Sequence, residues 1–108
     1  LKKIFIINFK RVDKGSLVGF ADIFIAAFGM EMYGCSFFMK NSQEWLSLPS
    51  REYTDSEGIK KYAPIVRFKD KAKGDEFGKL VIEAIRDWEL QQAGAKKEED
   101  DDNNFLPF

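Results

Sequence analysis

The sequence predicts an α+β fold, a single antiparallel sheet of about five strands with one carboxy-terminal helix. Three features lead there. Short segments rich in β-branched and aromatic residues, broken by turn chemistry, fill the first two-thirds of the 108 residues. From about Lys71 the apolar spacing changes from the alternation of a strand to the 3.6-residue period of a helix. After Gly94 periodicity gives way to a charged tail.

Lys3 to Val12, KIFIINFKRV, reads as the first strand. DKGS follows at 13–16, with Gly15 where a tight turn needs positive φ, so Leu17 to Phe28 pairs back as the second strand of a hairpin. Gly29 punctuates, and Met30 to Lys40 is the third strand. NSQE makes the next turn. Trp45 to Leu48 is a short fourth strand, ended by Pro49, which has no N–H for a ladder. REYTDSEGIK reads as a loop through Asp55, Ser56 and Gly58, and Lys61 to Lys69 as a last strand, demoted to an edge by Pro64.

The helix is the most clearly written element. Phe77, Leu80, Val81, Ala84, Ile85 and Trp88 fall on one face, Asp70 is placed to cap the start, and Asp75 and Glu76 sit near the positive end of the dipole. Gly94 is the predicted stop. The domain is therefore drawn as 1–94, with 95–108 a disordered tail too poor in hydrophobes to offset the entropy of ordering. An OB-type barrel is the alternative, since its strands and helix fit the same description. One helix covers only part of a sheet, and with 11 Phe and 2 Trp the uncovered face is expected to meet, in part, a second subunit.

Composition narrows the function classes. There is no His, which removes the commonest general base and transition-metal ligand, and the single Cys35 can build neither an internal disulfide nor a zinc site. Cys35 lies in MYGCSFF, a setting for a buried thiol. The acids of the body fall mostly in turns and at strand ends, where carboxylates are solvated, so no enzyme, metal or cofactor is expected. No segment has the roughly 20 apolar residues of a membrane span, and no leader is visible, so the chain reads as cytoplasmic.

Charge points elsewhere. The 17 Lys plus Arg face 18 Asp plus Glu, but five of the acids lie in residues 98–108 without a base, which leaves the rest of the chain at +4. A basic body with an acidic arm is the pattern of a polyanion binder. Between Trp45 and Lys69 bases and aromatics interleave, as single-strand binders require: rings stack on bases while cations track phosphates. The candidate stacking residues are Trp45, Tyr53 and Tyr62, and the candidate phosphate contacts are Lys40, Arg51, Lys60, Lys61, Arg67 and Lys69.

Within this stretch, WLSLPSREYTDSEGIKKYAPI (45–65) is similar to the signature of the SpoVG (stage V sporulation protein G) family. The matching pieces are Leu48, Pro49, Ser50 and Arg51, then Asp55 and Gly58, then Pro64 and Ile65; LVGFADIFI also resembles that family's second strand. The resemblance spans about residues 3–90 and implies a small dimeric sheet-plus-helix protein that binds nucleic acid. The tail EEDDDNNFLPF resembles the acidic tip of bacterial single-stranded DNA-binding proteins. That likeness implies a segment that recruits replication and recombination proteins, with Asp100, Asp101 and Asp102 meeting bases and Phe105, Leu106, Pro107 and Phe108 entering a shallow apolar pocket. Asn103 and Asn104 depart from the pattern by separating acids from hydrophobes. Together the two resemblances lead one to expect a dimeric, sequence-tolerant binder of single-stranded DNA. The alternatives are an RNA- or duplex-binding regulator and a protein adaptor acting through its tail.

Overall fold

The computed structural model describes residues 3–102, with side chains to residue 94. Its elements are β1 (Ile4–Lys14), β2 (Leu17–Ile25), a 3-10 turn (Ala26–Phe28), β3 (Met30–Lys40), β4 (Gln43–Ser47), β5 (Ser50–Thr54), β6 (Lys60–Pro64) and α1 (Lys71–Asp102). The α+β class is as the sequence predicts, and the sheet does not close into a barrel. The strands are divided differently. β1 to β4 form an antiparallel meander in chain order, while β5 and β6 form a separate two-stranded hairpin, so the single five-stranded sheet is corrected to four strands plus two.

The turns follow local chemistry. Lys14 pairs with Leu17 across Gly15, whose φ of 60° is the left-handed conformation the sequence calls for. Lys40 pairs with Gln43 across Asn41 and Ser42, both with positive φ, the twist that a two-residue hairpin favours. The second strand ends at Ile25, before Phe28. The segment read as a loop supplies β5, because Arg51 to Thr54 gain a ladder with Lys60 to Ala63 although none of their side chains is buried. β6 stops at Pro64, five residues short of the predicted Lys69.

Irregularities decide which way each strand faces. Ile6 pairs with Ile23 and Asn8 with Asp22, so Ile7 is an extra residue in β1 and the inward positions switch from Ile4 and Ile6 to Phe9. In β3 Tyr33 and Gly34 together lie opposite Asp22, one residue more than the partner strand, with Asp22 Oδ1 accepting the Gly34 N–H at 2.9 Å, and the inward positions switch from Met32 to Cys35 and Phe37. Gly19 has no room for a side chain: a Cβ there would sit 2.4 Å from the Lys10 carbonyl oxygen and 2.6 Å from the Phe9 ring.

The helix lies over the inner face of the meander. Asp70 caps it, its Oδ1 accepting the Ala72 N–H at 2.9 Å. Val81 and Ile85 are fully buried among Ile4, Phe9, Ala21, Ile23, Cys35 and Phe37, and burial of this kind stabilises by about 2 kcal/mol per side chain. The predicted stripe is the packed face, joined by Ile82. Helix and sheet are tied at both edge strands: Arg11 of β1 makes a two-pronged pair with Glu89, at 2.8 and 3.0 Å, and Arg86 donates to Glu44 of β4. The predicted stop at Gly94 is corrected, for the helical backbone runs to Asp102. Gly94 lacks the positive φ of a terminator, and the Ala, Lys and Glu residues that follow are strong helix formers, enough to absorb the ~1 kcal/mol cost of one glycine. Among the described residues no helix is long and apolar enough to cross a membrane.

Candidate nucleic-acid interface

The outer face of the meander, opposite the helix, is aromatic. Alternation with the inner set places Phe5 on β1, Phe20 and Phe24 on β2, Phe38 on β3 and Trp45 on β4 there, with Lys10 and Lys40 on the same face. Cross-strand pairing fixes their neighbours. Phe5 lies opposite Phe24 with ring centroids 6.3 Å apart, Lys10 is paired with Phe20, and Phe20 in turn with Ser36. Phe38 and Trp45 are partners across β3 and β4, and their rings stack. Phe5, Phe20 and Trp45 are each a little over 40% exposed, Phe5 and Trp45 against the neighbouring rings of Phe24 and Phe38. Small polar groups, Asn8, Ser36 and Ser47, separate the rings, and two acids share the face, Asp22 opposite Asn8 and Glu31 opposite Phe24.

The residues singled out from the sequence fall into three groups. Lys40 and Trp45 belong to this outer face. Arg51, Tyr53 and Lys61 share one face of the β5–β6 hairpin, since Tyr53 pairs with Lys61 and Arg51 with Ala63. Lys60 and Tyr62 lie on the hairpin's other face around Glu52, which accepts from the Tyr62 hydroxyl at 3.3 Å and pairs with Lys60 Nζ at 3.8 Å. Tyr53 and Tyr62 therefore point to opposite sides of a two-stranded ribbon and cannot stack on one run of bases. Tyr62 lines one cleft with Arg67 and Lys69, of about 540 Å³ between the hairpin, the β6–α1 segment and the start of α1, with Ser50, Lys71 and Asp75 also on its walls. Lys71 is paired with Asp75 at 3.0 Å; Arg67 and Lys69 have no acidic partner among the described residues. Asp100, Asp101 and Asp102 have no described side chains, and Phe105, Leu106, Pro107 and Phe108 lie outside the described residues.

The hairpin is set by its loop. Asp55 Oδ1 accepts the N–H groups of Glu57 and Ile59, both at 2.9 Å, and its other oxygen lies 3.2 Å from Lys61 Nζ. The Ile59 hydrogen bond, followed by that of Glu57 and the contact with Lys61, holds the Asp55 carboxyl below its ordinary pKa. Asp55 thus uses up part of the charge on Lys61, and Glu52 part of that on Lys60, so Arg51, Arg67 and Lys69 are the freer cations of this region.

Four aromatic residues of the outer face, Phe5, Phe20, Phe24 and Phe38, are not reached by sequence reasoning. A signal was present in LVGFADIFI, where aromatic Phe20 and Phe24 alternate with small or aliphatic Ala21, Ile23 and Ile25. Among the described residues no three Cys, Asp or Glu side chains converge as a metal site requires. Compared with protein-family models, curated proteins and solved structures, the chain finds no match, and its likeness to the SpoVG family rests on the motif residues alone.

Proposed function

We propose that the protein binds single-stranded DNA without reading its sequence, as a non-enzymatic, cytoplasmic factor, with bases stacked on the outer face of the meander. The observation that carries this is the row of half-exposed rings, Phe5, Phe20, Phe24, Phe38 and Trp45, on one open sheet face beside Lys10 and Lys40. Every base offers a π-face, so stacking of this kind is worth about 1 to 3 kcal/mol per base and is tolerant of sequence. Phosphates between stacked bases are matched by Lys10 and Lys40 on the face and by Arg67 and Lys69 at the cleft. A duplex would keep its bases inside and leave the rings unused.

The acidic tail serves in this reading to recruit replication and recombination proteins, as its resemblance implies. A second reading, that the outer face buries itself against a second copy, is favoured by one observation: that face exposes the large apolar side chains of Phe5, Phe20 and Trp45. The polar residues between the rings and the two lysines favour a strand of nucleic acid over a dry protein interface.

The deciding experiment is fluorescence anisotropy of labelled oligo-dT, with a duplex and oligo-U of equal length as competitors, at several salt concentrations. Tight oligo-dT binding that weakens steeply with salt and resists competition by duplex is expected. A preference for oligo-U or duplex would move the reading to an RNA- or duplex-binding regulator. No binding by folded protein at low salt would end the nucleic-acid reading and leave an adaptor.

A further inference from the structure

A second concavity lies on the other side of the β6–α1 segment from the cationic cleft. It holds about 280 Å³ where β1 begins, β2 ends and α1 starts, and its walls include Ile25, Met32, Leu48, Phe68, Phe77 and Leu80. Its only charged lining residues are Lys3 and Arg67, and among the described residues neither has an acidic partner. Apolar groups crowd its rim: Phe28 is 79% exposed and Val66 and Phe68 are each 40% exposed. A concave apolar surface with two unpaired cations at its edge suits a ligand of complementary build, an apolar side chain flanked by acids.

The chain itself contains such a segment. Phe105, Leu106, Pro107 and Phe108 follow the acidic run Glu98 to Asp102 within a few residues. Reach decides whose segment it is. Leu80 lines the cavity, and α1 continues from there to Asp102, a rise of about 33 Å at 1.5 Å per residue. Six more residues, fully extended back along the helix, return about 20 Å. The segment of the same chain falls short by about 13 Å, whereas the helix carries it outward to where another molecule can receive it.

We propose that this cavity receives the Phe105–Phe108 segment of a second copy of the chain, with Lys3 and Arg67 facing the acids that precede it. The contact is heterologous, cavity to tail, and needs neither base nor phosphate, so it stands or falls apart from the nucleic-acid reading. Arg67 lines both the cavity and the cationic cleft, so a strand on the cleft and a tail in the cavity draw on one guanidinium.

The test uses a fluorescent peptide of residues 98–108, EEDDDNNFLPF, titrated without nucleic acid into full-length protein whose own segment is disabled by Phe105→Ser, Leu106→Ser and Phe108→Ser. Saturable binding is expected, weakened at least tenfold when the acceptor also carries Lys3→Glu and Arg67→Glu. Both positions are solvent-facing, so the fold is not at stake. Sedimentation then supplies the second arm. A chain with an intact segment and a reversed rim, mixed with one having an intact rim and a disabled segment, should form a complex that neither forms alone. The proposal is overturned if the peptide fails to bind, if it binds the reversed rim equally well, if a peptide with both Phe changed to Ser binds as tightly, or if the mixture does not associate.

Discussion

The rings of Phe38 and Trp45 lie nearly parallel across the β3–β4 pair, with centroids 5.4 Å apart and planes 10° from each other. The pair sits at the exposed edge of the outer face, where Trp45 is braced from below and open above. A base added to that stack meets a ring already held in place. Trp45→Ala should therefore weaken oligo-dT binding by about 1 to 3 kcal/mol, roughly 5- to 150-fold, with little effect on thermal stability. The same loss is expected for oligo-dC and mixed sequences. A loss confined to one sequence, or none at all, would count against stacking at this site.

Cations should leave a different signature. Arg67→Ala and Lys69→Ala each remove one phosphate contact, so the slope of log affinity against log salt should become shallower by about 0.7 for each. Lys60→Ala, whose charge is already shared with Glu52, should change the slope less. Equal slopes for all three variants would place the strand away from the cleft.

Gly19 tests the packing beneath the site. Gly19→Ala must displace both the Lys10 carbonyl and the Phe9 ring, and such overpacking costs about 1 to 3 kcal/mol. Urea denaturation should show a lower midpoint. An unchanged midpoint would mean that β1 can shift away from β2 at no cost.

Cys35 makes stability depend on alkaline pH. Burial, with a smaller contribution from Asp22, pushes its thiol up to about 11, whereas in the unfolded chain it titrates near its ordinary value of about 8.5. The folded pKa is the higher one, so this contribution is fully present below about pH 8.5 and is lost as pH rises toward 11. Urea midpoints measured from pH 7 to 10 should fall in the upper half of that range, and Cys35→Ala should flatten the fall. A thiol reagent should label the native protein no faster than it opens.

The ion pair between Arg11 and Glu89 is partly exposed, at 46% and 32% of the two side chains, so solvent screens it. Glu89→Gln is expected to cost about 1 kcal/mol or less, with the difference shrinking in high salt. A double-mutant cycle with Arg11→Ala would isolate the coupling.

The helix could be read from sequence because Phe77 to Trp88 obey one period without interruption, and Asp70 was legible as its cap because only a short acceptor fits there. β5 could not. Arg51 to Thr54 carry no buried side chain, and their strand exists only through backbone bonds to β6, which leave no mark on composition. The outer face was hidden for another reason. Apolar residues occupy both faces of β1 to β3, and the extra residues at Ile7 and at Tyr33–Gly34 exchange inward and outward positions midway along a strand, so alternation counted from one end gives the wrong side at the other. Trp45 could be found because it opens the stretch in which bases and aromatics interleave. Tyr53 and Tyr62 were grouped because they are near in sequence; the register Glu52 to Tyr62 and Tyr53 to Lys61 is what sends them apart.

The two arginine ties of α1, to β1 through Glu89 and to β4 through Arg86, act on the first and last strands of the meander. Each tie is weak by itself, and it is the burial of Val81 and Ile85 against the inner face that makes flattening or curling the sheet away from the helix costly. The curvature of the aromatic surface is then set before any ligand arrives, and the template is rigid while the guest is supple. Most of the entropy lost on association would fall on the nucleic acid, and longer flexible strands would conform to the protein with little answering change in its shape.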